Sequence, residues 1–122
     1  MLVVGDHGDA AELLVRLLQR AGYLAGAVGS PDDAIRAMGD GPPDLVVADL
    51  QEGGSQTNAR LLKAVRAHAA PAVAAVPVLL VATGDSERPA ATAARTDGFL
   101  VRPFRHEAFV DEVTAMLDPS AE

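Results

Sequence analysis

A chain of 122 residues, 49% of them hydrophobic, has the length of a single domain and enough apolar residues for a core. The core must be aliphatic, because there is no tryptophan, one tyrosine and three phenylalanines, and the lack of cysteine excludes disulfides and thiolate metal sites. A formal net charge of -7 argues against nucleic-acid and anionic-membrane surfaces, which need clustered lysine and arginine; the longest apolar runs are too short to span a bilayer, so a cytoplasmic protein is expected.

Residues 1–5 form an apolar run that ends at Asp6 and reads as a first strand, with no charged leader before it. Asp9 is the expected N-cap of the next helix, with Glu12 three residues on. Leu13, Leu14, Leu17, Leu18 and Ala21 mark its apolar face, and Gly22 stops it. Residues 23–28 read as a weaker second strand. Ser30, Pro31, Asp32 and Asp33 then open a helix with a cap, an early proline and two acids at the positive end of the dipole; Ile35 and Met38 give its apolar side.

Residues 45–48 form a third strand, closed by Asp49. A polar, glycine-bearing loop follows at 51–56. Thr57 or Asn58 is expected to cap the helix carrying Leu61, Leu62, Val65 and His68, and Pro71 to end it before an apolar loop at 72–76. Residues 78–82 read as a buried fourth strand. Residues 87–95 form a short alanine-rich helix with little to pack. A fifth strand at 99–101 precedes a last helix with Phe109, Val110, Val113, Met116 and Leu117 inward, closed by Pro119. Five strands alternating with five helices imply right-handed βαβ units and a parallel sheet covered on both faces.

In such sheets the ligand crevice lies at the carboxyl ends of the strands. Asp6 and His7, Asp49, Ala82 and Thr83, and Arg102 follow or end strands one, three, four and five. Two acids, a hydroxyl and a cation there suit a small oxyanion and a hard metal. Magnesium takes one or two carboxylates with phosphate and water, and a carboxylate can attack an activated phosphoryl group to become an aspartyl phosphate, whose oxygens then need a cation and a hydroxyl. Plainer readings stand beside this. The acids can be turn caps, His7 can be a metal ligand or simply solvated, and Arg102 can form a fixed salt bridge with Asp49 or Asp6. A small hydrolase is disfavoured, since no general base beyond His7 and no nucleophile elbow is present.

Along nearly its whole length the chain resembles the receiver domain of bacterial response regulators, on the ordered stretches LVVGDHGDAAELLVRLLQRAGY, PDLVVADL, VPVLLVATG and DGFLVRPF. The resemblance implies one receiver-like domain over 1–122, with a flavodoxin-like, doubly wound, five-stranded parallel sheet in the order 2-1-3-4-5 and five helices. It implies phosphoryl transfer from a histidine kinase or phosphotransfer protein to Asp49 with Mg²⁺, and no enzyme activity beyond that transfer and its reversal. Asp6, Asp49 and the backbone carbonyl of Gln51 would hold the metal. Thr83 and Arg102 would meet the phosphoryl group, and Phe99 would be the switching aromatic. The helix at 87–95, the fifth strand and the last helix form the expected interaction surface, for a homodimer or for another protein. The departures mark an atypical member. Gly5 stands where the family has an acid and should weaken Mg²⁺ binding. Ala82 and Thr83 look swapped, Arg102 replaces a lysine, and the loop after Asp49 is one residue longer, with Glu52 close by. The alternative is a phosphorylation-independent pseudo-receiver acting as a protein-binding or dimerisation module.

Overall fold

Five strands, β1 (Leu2–Gly5), β2 (Gly26–Val28), β3 (Val46–Asp49), β4 (Val78–Thr83) and β5 (Gly98–Arg102), pair in parallel in the order β2-β1-β3-β4-β5. This computed structural model describes residues 1–51, 54–83 and 97–117, leaving aside the side chains of 54–56 and 83. The expected helix at 87–95, Glu52, the turn after Thr83 and Pro119 lie outside the described residues. The helices described are α1 (Gly8–Arg20), α2 (Pro31–Met38), α3 (Gly54–Arg66), α4 (Pro71–Ala74) and α5 (His106–Leu117).

Alternation along β3 divides the core in two. Val46 and Ala48 join Val4 and Val78 against Met38 of α2 and Leu61, Leu62 and Val65 of α3. Val47 joins Val3, Leu79 and Val81 against Leu14 and Leu18 of α1 and Phe109 and Val113 of α5. Every residue of β3 is buried, as a central parallel strand requires.

Ser30 caps α2 as expected, its Oγ accepting from the Asp33 N–H at 3.1 Å, with Pro31 in the first turn. Gly22 ends α1's connection with a φ of 96°, a left-handed conformation that favours glycine. Other expectations need correction. α1 starts at Gly8, with His7 as an N-cap that makes no side-chain bond, so Asp9 lies in the first turn and acts on the dipole instead of capping. Its buried stripe is Ala11, Leu14, Leu17 and Leu18. Leu13 is 42% exposed, because it sits about 100° around the helix from Leu14, and Ala21 is an exposed C-cap. β2 spans only three residues, since β1 offers it partners only from Leu2 to Val4. α3 begins at Gly54, which puts Thr57 and Asn58 inside the helix and removes both as caps. The expected loop at 72–76 holds most of α4, which Pro71 opens at a position where its missing N–H costs nothing.

Arg66 fixes the amino ends of β4 and β5. Its guanidinium donates to the carbonyls of Ala74 (2.9 Å) and Val76 (2.7 Å) and to Asp97 Oδ2 (2.6 Å), which also accepts from the Val78 N–H at 3.0 Å. No helix among the described residues is long and apolar enough to cross a membrane. Phe109 is fully buried where α5 meets the sheet. Phe109→Ala should lower the unfolding free energy by about 3–5 kcal/mol in urea melts.

Candidate functional site

Asp49 is the last residue of β3, and the β1–β3 register sets it opposite Gly5. Asp6, the next residue along β1's chain, therefore reaches the same rim, where the sequence placed both acids. Asp49 is 1% exposed. A carboxylate so buried needs a cation, since leaving water costs several kcal/mol per ion even after relaxation. Arg102, at the end of β5, supplies it across the intervening β4. Its Nη1 donates to Asp49 Oδ1 at 2.6 Å and its Nη2 to Oδ2 at 2.7 Å. Both oxygens are thus bound by one planar fork, a geometry that lysine's single ammonium does not reproduce. The guanidinium carbon lies 5.8 Å from the centroid of the Phe104 ring, which stacks on Phe109 at 6.2 Å. The acid of β3 is in this way connected to the core of α5.

Asp6 accepts the backbone N–H of Gln51 on Oδ1 at 2.9 Å, so the loop after β3 is tied back to the end of β1. His7 Nε2 stands 3.9 Å from Asp6 Oδ1, too far for a hydrogen bond, and its side chain is more than half exposed. Thr83 pairs by backbone register with Arg102, while its side chain is among those not described. Ala82, where the family carries a hydroxyl, is buried and offers only a methyl group. Phe99 is half-buried against Leu80 and Ala82.

Two features escaped the sequence reading. Asn58, fully buried, accepts the Leu50 N–H on Oδ1 at 3.0 Å and donates from Nδ2 to the Leu50 carbonyl at 3.1 Å. The available signal was its spacing: Asn58, Leu61, Leu62 and Val65 form an i, i+3, i+4, i+7 stripe, which predicts that the amide faces inward. The second is the crowding at Gly5. A Cβ there would lie 3.0 Å from Ala11 Cβ and 3.5 Å from the Asp49 carbonyl oxygen, so α1 packs tightly against this end of β1.

The oxygens of Asp6, Asp49 and Gln51 are the right donors for magnesium, but as arranged they do not fit it. Both Asp49 oxygens are bonded to a cation, and Asp6 Oδ1 is bonded to an N–H. Among the described residues no three His, Cys, Asp or Glu side chains group to hold a metal ion.

Arg102→Met should lower unfolding free energy by roughly 3–5 kcal/mol, because Asp49 stays buried without its cation. The double variant Asp49→Leu, Arg102→Met should recover most of that loss in the same denaturant series. Gly5→Asp should destabilise by about 1–3 kcal/mol through overpacking against Ala11. A cycle with Ala11→Gly should show the two changes costing less together than the sum of the single variants.

Comparison with known proteins agrees with this geometry. The family model for the response regulator receiver domain matches residues 1–114. A response regulator receiver protein from Burkholderia phymatum is 30% identical, with a TM-score of 0.75 over 95% of this chain and 92% of that one. Chemotaxis response regulator CheY4 of Vibrio cholerae, 23% identical, shares the fold with a TM-score of 0.80 over 95% of this chain and 96% of its own. Among curated proteins no sequence matches the chain. The strand order, the rim acids and the matched family model lead to one assignment: the chain belongs to the response regulator receiver domain family of two-component signalling.

Proposed function

We propose that this receiver domain works through a fixed Arg102–Asp49 ion pair and not through magnesium-dependent phosphorylation, as a cytoplasmic protein-binding module. The observation that carries the reading is the engagement of both Asp49 oxygens by one guanidinium. In a receiver, a cation drawn to the acceptor carboxylate links the third and fifth strands. Here a permanent charge already makes that link. Through Phe104 and Phe109 it extends to α5, so the surface of β5 and α5 is set without a phosphoryl group. The partner on that surface would be another protein or a second copy of the chain.

One observation favours a second reading, that Asp49 accepts a phosphoryl group from a histidine kinase or phosphotransfer protein with Mg²⁺. Asp6 and Asp49 do meet at one rim, with Gln51 beside them. In that reading Arg102 must release at least one Asp49 oxygen, Thr83 would supply the hydroxyl, and Phe99 would move with the switch. Metal affinity would be low, since Gly5 contributes no charge.

Incubation with acetyl phosphate, or with beryllium fluoride, at millimolar Mg²⁺ separates the two. No Asp49-dependent gain of phosphoryl mass and no change in the amide NMR spectrum are expected of the native chain. Arg102→Lys should give partial labelling, because an ammonium leaves an oxygen open. Ready labelling of the native chain, abolished by Asp49→Asn, would overturn the ion-pair reading in favour of the acceptor.

A further inference from the structure

The ladder around β3 stops short of the residue that matters for the rim. Pairing with β4 extends to Ala48 and pairing with β1 to Asp49, while Leu50, just beyond, is still buried. A buried N–H and C=O past the end of a ladder need other partners. Asn58 provides both from one side chain, as an extra rung would. The amide is rigidly placed, because Leu61, Leu62 and Val65 anchor the same face of α3 in the core. One peptide before Leu50 is Asp49, with its carboxylate on Arg102; one peptide after it is Gln51, with its N–H on Asp6.

From this we infer that Asn58 is the positioning residue of the rim: by holding both backbone groups of Leu50 it sets where Asp49 meets Arg102 and where Gln51 meets Asp6. It touches neither carboxylate and acts only through Leu50. The inference rests on the ion pair used for the proposed function.

The test reads the rim directly, with no metal or phosphoryl donor. Asn58→Asp keeps the acceptor for the Leu50 N–H and loses the donor to its carbonyl; Asn58→Ala loses both. Val73→Ala, a buried residue in the same core layer but away from the rim, serves as a control for destabilisation alone. Amide hydrogen exchange of Gln51 and the side-chain NMR signals of the Arg102 guanidinium are followed in each. In Asn58→Asp, Gln51 exchange should rise roughly tenfold or more and the guanidinium signals should broaden, with smaller effects in the control. In the native chain, the Leu50 and Gln51 amides should open together, with exchange rates within about threefold after correction for intrinsic rates. That arm needs no variant and remains if Asn58→Ala does not fold. Unchanged Gln51 and Arg102 signals in Asn58→Asp, or a native Gln51 amide exchanging far faster than Leu50, would overturn the inference. A freely rotating Arg102 guanidinium in the native chain would instead overturn the ion pair itself, and with it the proposed function.

Discussion

A carboxylate sealed from water is the constraint around which this domain is arranged. Asp49 is buried at the end of the central strand, where hydration cannot stabilise its charge. The compensating cation must come from within the protein, in good geometry. Arg102 meets that need with a two-bond fork. Since Arg102 closes β5 and Asp49 closes β3, the pair also fixes how two strands that are not neighbours end relative to each other. Electrostatic necessity at one atom group thus becomes a restraint on the whole rim.

The rest of the fold brings that encounter about. A parallel sheet sends every strand's carboxyl end to the same side, so residues 6, 49 and 102 converge although they are far apart in the chain. The amino ends are secured separately by Arg66 and Asp97, which pin the starts of β4 and β5. At the carboxyl end, polar side chains replace ladder bonds: Asp6 takes the N–H of Gln51, and Asn58 takes both groups of Leu50. With Asp6 and Asp49 negative and Arg102 positive, these three groups sum to one negative charge, a weak attraction for a dication.

Much of this was legible in the amino-acid order, and the parts that were not have physical reasons. The apolar run closed by Asp49, the Ser30 cap and the Gly22 stop rest on short-range chemistry that tertiary context did not override. Asp9 failed as a cap because α1 begins two residues earlier than a cap at Asp9 would start it, a shift that residue type alone does not resolve. Leu13 misled because leucine alone does not report direction; only the angle from Leu14 and Leu18 does. Thr57 and Asn58 resemble a helix start by residue type, yet α3 begins upstream of both, and Asn58's amide is spent on Leu50. The convergence of Asp6 and Asp49 followed from topology. The fork did not, since a sequence places Arg102 at the rim without saying which acid it meets.

The departures from the family's pattern look independent along the chain, but they are joined in space. Loss of an acid at Gly5 removes a charge that would repel Asp49 and assist a metal. A Cβ at this position would stand 3.0 Å from Ala11 Cβ of α1, so any side chain here meets that helix. Arginine in place of lysine then supplies a second bond to Asp49. Both changes act on the same carboxylate: one leaves a neighbouring negative charge out, and the other holds it by two bonds. What remains is a receiver rim whose acidic centre is retained and paired, with its cation supplied by the chain.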